Sequence, residues 1–175
     1  MKKLYFIRHG ESEANAQMIY AHPHTPLTVK GIAQATAAGQ KLKEEKVDII
    51  VSSTYLRAKK TAEIIAEEIN YPKTKIKYSE LLIERQYTGM EGQAWTKDYQ
   101  GKAIESVNEL LKRGLLAFEF IKALPADNIL VVGHGTFGRA LRHHVLENQP
   151  FIDYDIYPDA DPSGHIQNAE VVCWI

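Results

Sequence analysis

Four uninterrupted apolar runs of strand length leave few folds open to this chain: Leu4 to Ile7, Asp48 to Val51, Ile129 to Val132 and Val171 to Ile175. A strand with one wet face alternates apolar with polar residues. A run that stays apolar expects cover on both faces, as in a largely parallel sheet. A fifth stretch, Thr74-Lys75-Ile76-Lys77-Tyr78, alternates and reads as a strand nearer an edge. Helical patterns lie between the runs. Thr28 caps a helix expected to reach about Lys46, with Ile32, Ala35, Ala38 and Leu42 inward. Leu56, Ala62, Ile65, Ala66 and Ile69 form one stripe of a second. Ser106-Val107-Asn108-Glu109 has capping-box spacing and opens a third towards Ala123, with Leu110, Leu111, Leu115 and Phe118 as its core face. A fourth runs from near Thr136 to about Glu147. The alternation predicts an α/β chain: a three-layer αβα sandwich around a mostly parallel central sheet, with right-handed connections. Leu81 to Gly101 and Asn148 to Asn168 carry no such period and read as irregular.

At 175 residues the chain suits one well-buried core and is short for two, so residues 1–175 read as a single domain. A formal net charge of -1 argues against a partner bound through a broad basic surface, nucleic acid above all. The single cysteine, Cys173, has no intrachain disulfide partner. It is expected to pack as a small hydrophobe, which fits a reducing cytoplasm. The first apolar run is too short for a signal-peptide core or a membrane span, so the expectation is a cytoplasmic protein without a membrane partner.

Three strand ends carry matching polar groups. Arg8-His9-Gly10 follows the first run, Ser52-Ser53 and then Arg57 follow the second, and Gly133-His134-Gly135-Thr136 follows the Ile129 run. Each taken singly reads as a surface or turn residue. If the three strands are parallel neighbours, their C-terminal ends bring Arg8, His9, Arg57 and His134 into one crevice, where such folds bind ligands. A helix N-terminus there adds N–H donors and partial positive charge. Two arginines, two histidines and a helix end suit a dianionic phosphoryl group held without metal.

The same residues resemble the histidine phosphatase superfamily, which includes cofactor-dependent phosphoglycerate mutase and many small phosphatases. The match starts at Arg8-His9-Gly10-Glu11-Ser12-Glu13-Ala14-Asn15. It continues through Pro26-Leu27-Thr28, Gly31, Gln34-Ala35, Ser52-Ser53, Arg57-Ala58, Thr61-Ala62, Leu82-Ile83-Glu84 and Gly133-His134-Gly135 to Asn168-Ala169-Glu170-Val171. The resemblance implies that His9 is a nucleophile that becomes phosphohistidine. Arg8, Arg57 and His134 would hold the phosphoryl oxygens, and Glu84 would serve as general acid and base. It also implies substrate contacts at Ser12, Asn15, Arg85, Tyr87, Gly135 and Thr136, with no metal and no cofactor. The chain departs from the family at Glu84-Arg85-Gln86-Tyr87-Thr88-Gly89. Thr88 stands where a glycine is usual, so Gly89 is expected to supply the permissive backbone, and Gln86 replaces the histidine of the mutases.

The relatives that act as mutases carry a long basic insertion after the acid, whereas residues 85–105 here form only a short lid with Arg85, Lys97 and Lys102 as cations. A small lid carrying Tyr87, Trp95 and Tyr99 suggests access for water and a partly apolar or aromatic leaving group. The expectation is therefore a phosphatase acting on a small-molecule phosphomonoester or a phosphoprotein. The alternatives are a mutase-like phosphoryl transferase and, in a different class, a phospho-ligand binding module with little turnover.

Other features weigh less. Asp159 to Glu170 has the ligand spacing of a calcium-binding EF-hand loop, but Pro158 and Pro162 and the following strand argue for an acidic solvated loop beside the pocket. His22 and His24 flank Pro23 in a loop placed to rim the pocket. The adjacent His143 and His144 point to different helix faces and read as surface or packing residues.

Overall fold

The computed structural model describes residues 1–95, 99, 101–146, 150, 151 and 166–175. Strands β1 (Lys3–Arg8), β2 (Ile49–Ser53), β3 (Lys77–Ser79), β6 (Asn128–Gly133) and β7 (Val171–Cys173) form one sheet in the order β3-β2-β6-β1-β7. All pairings are parallel except that of β7 with β1. The expected αβα sandwich with a mostly parallel sheet is what forms. Continuous apolarity in the strands has the predicted cause. Leu4 and Phe6 face one layer together with Ile129 and Val131, while Tyr5 and Ile7 face the other with Leu130 and Val132. Helices α2 (Val29–Lys41) and α3 (Leu56–Glu68) cover the second face. Helices α4 (Val107–Lys122) and α5 (Gly135–Val145) cover the first.

Several sequence expectations need correction. Helix α2 keeps its Thr28 cap but ends at Lys41, with Leu42 closing it into a turn. Ile32, Leu56 and Leu115 are 43%, 42% and 44% exposed rather than inward. The buried face of α4 is Leu110, Gly114, Ala117 and Ile121, rotated from the predicted stripe. The cause is close packing: a Cβ on Gly114 would stand 3.1 Å from the Ala140 carbonyl oxygen, so small residues face α5 and Leu115 turns outward. Cys173 is exposed rather than packed. Of the alternating edge stretch, Thr74 and Lys75 fall in a 3-10 turn (Lys73–Lys75), and only Lys77 and Tyr78 pair, as part of β3. A short helix α1 (Glu13–Gln17) and a two-stranded antiparallel ribbon, β4 (Tyr87–Thr88) with β5 (Ala103–Ile104), were not foreseen. The EF-hand-like spacing, through His165, and the expected helix end at Glu147 lie outside the described residues. No helix among the described residues is long and apolar enough to cross a membrane.

Two glycines let the first strand end turn against α2. A Cβ on Gly10 would lie 2.3 Å from the Gly31 carbonyl oxygen, and one on Gly31 would lie 2.0 Å from that of Glu11. Backbones approach this closely only where neither residue carries a side chain. The loop bearing His9 is thereby fixed against the start of α2.

Candidate active site

Strands β2, β6 and β1 are adjacent and parallel, so their C-terminal ends do converge. A cavity of about 570 Å3 opens there. Arg8, His9, Arg57 and Glu84 line it, as do Asn15, Arg85, Tyr87, Gly135 and Thr136. Two predicted contacts stand back from it. Ser12 is buried as the N-cap of α1, in a capping box with Asn15. His134 is fully buried behind His9, their rings 5.1 Å apart and edge to face.

His9 is tightly specified. Its Nδ1 lies 2.7 Å from the Gly10 carbonyl oxygen, which can only accept, so Nδ1 carries the proton. The unprotonated Nε2 then accepts from Arg57 Nε at 3.1 Å. The main chain around it is held too. Asn168 Nδ2 donates to the His9 carbonyl at 2.9 Å, and Gly10 N–H donates to Thr61 Oγ1 at 3.1 Å. Burial, then the charges of Arg57 and Arg8, push the His9 pKa well below the ordinary histidine value. The ring is a neutral base with its lone pair aimed at Arg57.

Arg57 sits in the first turn of α3, and its Nη1 donates to the His22 carbonyl at 3.0 Å. Burial lowers its pKa to about 10, with Glu84 opposing the shift, so it stays charged at neutral pH. Arg8 is lowered by burial as well and donates from Nη1 to the Ile166 carbonyl at 3.1 Å. The His22–Pro23–His24 loop meets the cavity through Pro23, and the two histidine rings stack on each other. His144 donates to or accepts nothing in the cavity; its Nε2 lies 2.8 Å from the Leu111 carbonyl oxygen, a packing contact between helices.

His134 Nε2 meets Ser53 Oγ at 2.8 Å, while its buried Nδ1 has no hydrogen-bond partner among the described residues. Burial and the charges of Arg57 and His9 hold its pKa well below the usual value. Two buried neutral histidines make stability depend on pH. The unfolded chain takes up protons near 6.5 while the folded one does not, so stability is full above that value and falls as pH drops through it. Each histidine contributes a slope of up to about 1.4 kcal/mol per pH unit. Urea unfolding at pH 7.5 and 5.5 is expected to show the loss. A flat profile would mean that both rings take up protons in the folded protein as readily as in the unfolded chain.

Glu84 reaches the N-terminus of α5 across the cavity. Its Oε1 accepts from Phe137 N–H at 2.9 Å and its Oε2 from Thr136 N–H at 3.3 Å. The loop that carries it is held from behind by Arg113 of α4. Arg113 Nη1 donates to the carbonyls of Leu81 at 3.0 Å and Ile83 at 2.7 Å. Its Nε and Nη2 grip Glu105 at 2.8 and 2.7 Å, and Glu105 in turn accepts from Gln86 N–H. Both side chains of the pair are nearly buried. Arg113→Met is expected to cost about 3–5 kcal/mol in urea unfolding, because it strands a buried carboxylate and two carbonyls. A loss below about 1 kcal/mol would show that the clamp does not hold the loop. Downstream, Gly89 adopts φ +80°, so the permissive backbone has moved one residue on from Thr88, as expected.

Sequence reasoning missed Arg139, Tyr20, Tyr55 and Glu91, all lining the cavity, and the supporting Arg113. Arg139 had a legible signal: it lies four residues after Gly135 on the same helix face. Among the described residues no group of acidic, histidine or cysteine side chains could hold a metal ion.

Comparison with known proteins follows the same outline. The family model of the histidine phosphatase superfamily (branch 1) matches residues 4–157. The uncharacterized phosphatase PhoE of Bacillus subtilis is 31% identical over 160 residues, covering 86% of this chain and 80% of its own. A 2,3-bisphosphoglycerate-dependent phosphoglycerate mutase of Methylobacterium is 32% identical over 162 residues, covering 79% and 77%. In fold, the alpha-ribazole phosphatase from Shigella flexneri superposes with a TM-score of 0.79 at 22% identity, covering 98% of this chain and 89% of that one.

Proposed function

Because the chain belongs to the histidine phosphatase superfamily (branch 1), we propose that it hydrolyses phosphomonoesters through a phosphohistidine on His9, with no metal required. The observation that carries this reading is the fixed tautomer of His9. Nδ1–H is tied to Gly10, and Nε2 offers its lone pair into the cavity. Arg57 Nε donates to that lone pair. An arriving phosphoryl group draws the guanidinium onto its own oxygens and frees Nε2 for in-line attack. Arg8, which lines the same cavity, adds positive charge around the same oxygens. His134 Nε2 pairs with Ser53 Oγ; in the tautomer in which Ser53 donates, Nδ1–H is left as a donor, and that nitrogen has no partner among the described residues.

In the first step the His9 Nε2–P bond forms as the P–O ester bond breaks, and Glu84 gives its proton to the departing alcohol oxygen. In the second, Glu84 takes a proton from water, whose oxygen attacks phosphorus as the N–P bond breaks and inorganic phosphate leaves. Water is favoured over a second phosphorylated acceptor. Among the described residues of the 85–105 lid, the charged side chains lining the cavity are Arg85 and Glu91, one cation and one carboxylate rather than a basic cluster. The test is alkaline quenching during turnover of a phosphomonoester, followed by peptide mass spectrometry. One acid-labile phosphoryl group on the His9 peptide is the expected result, and its absence during turnover would overturn the mechanism.

A further inference from the structure

The cavity is far larger than a phosphate needs, and its second wall is built of rings. Tyr20 and Tyr87 lie with centroids 4.8 Å apart and tilted by 41°, and Tyr87 and Tyr99 lie 6.1 Å apart and tilted by 39°. Tyr20 Oη donates to Tyr99 Oη at 3.3 Å and closes the triangle. Trp95 lines the same cavity while remaining 51% exposed. This wall is fastened to the strand-end loop by backbone. Gly92 N–H donates to the Tyr20 carbonyl at 2.8 Å, Tyr20 N–H to Gln93 at 2.9 Å, and Trp95 N–H to Met18 at 3.0 Å. The Arg85 guanidinium stacks 5.7 Å from the Tyr87 ring and stiffens it.

The hydrophobic core does not need these rings, since they contribute to neither buried cluster. Tyr20, Tyr87, Trp95 and Tyr99 all line the cavity, where a flat group can pack against them. Rings prefer offset or edge-on contact with other rings, and tyrosine and tryptophan keep a polar tip for a heteroatom. The same lining also carries Glu91, Arg85 and Arg139.

We propose that this wall is a subsite for an aromatic ring carried by the leaving alcohol. The preferred substrates are then phosphate esters of ring-bearing alcohols. The inference rests on the phosphatase reading and adds to it the class of leaving group. The phosphoryl group sits on His9, Arg8 and Arg57 while the ring lies against Tyr87 and Trp95. Binding energy from the ring holds the ester oxygen within reach of Glu84, so the benefit falls on kcat/KM.

The experiment compares 2-phenylethyl phosphate with 2-cyclohexylethyl phosphate on the full chain. The two alcohols match in length and closely in acidity, so the difference reads the ring. The expected kcat/KM ratio is about tenfold in favour of the phenyl ester. It falls to about one in Tyr87→Leu/Trp95→Leu and to an intermediate value in Trp95→Leu alone, whose exposed position spares the fold. Equal kcat/KM for the two esters in the unaltered protein would overturn the subsite and leave the phosphatase reading standing. A ratio that survives both substitutions overturns the assignment to these rings. Hydrolysis of neither ester overturns the phosphatase reading and the subsite with it.

Discussion

His9→Ala is expected to abolish phosphoenzyme formation and to lower turnover by about 10^4-fold or more, while inorganic phosphate still binds. The two halves of this result have different causes. Turnover needs the Nε2 lone pair, and among the described lining residues His9 is the one histidine, held in a single tautomer by a main-chain carbonyl. Binding depends on Arg8 and Arg57, both of which remain in place. Positioning and charge stabilisation alone leave a residual rate above water in enzymes of this kind. A fall to that residue is therefore expected rather than complete silence. The measurement pairs single-turnover kinetics with phosphate titration by calorimetry, so a folding failure shows as lost binding. Turnover equal to the unaltered protein would sink both the nucleophile and the phosphohistidine route. It would leave the cavity as a binding site whose chemistry, if any, comes from elsewhere.

Much of this architecture was legible because its determinants are local. The runs at Leu4 and Ile129 had to be doubly covered, and the polar groups after them had to share an edge once the strands were parallel neighbours. Gly10 against Gly31 marks a close approach that sequence registers only as two glycines. The helix faces were harder. In α4 the leucines suggested one stripe, but the Gly114 contact with α5 chose another, and that choice depends on a helix packed from elsewhere in the chain. Substrate-side residues were the least legible. Tyr20 follows a five-residue helix too short to show a period, and it meets Tyr87 and Tyr99 only through the ladder with residues 92–95. Arg113 stood in an ordinary amphipathic helix. Its link to Glu84 runs through carbonyls, which carry no side-chain signal at all.

Glu84→Gln is expected to separate the two chemical steps. Glutamine keeps an oxygen that accepts from Phe137 N–H, and the Arg113 clamp still positions the loop, so geometry is largely preserved. What is lost is the transferable proton. With an alkyl phosphate the departing alkoxide must be protonated, and kcat is expected to fall by about 10^2–10^4-fold. With p-nitrophenyl phosphate the leaving group departs without a proton, so phosphorylation of His9 is nearly unaffected. Water attack on the phosphohistidine still lacks its base. The variant should therefore release a burst of p-nitrophenol close to one equivalent per site, followed by slow turnover with phosphohistidine accumulated. The burst is the discriminating readout, because a residue that merely supported the fold would slow both substrates alike and give none. Equal losses on the two substrates without a burst would remove Glu84 from the proton transfers. The acid would then have to be sought among the cavity's other ionisable groups, of which Glu91 is the remaining carboxyl among the described lining residues.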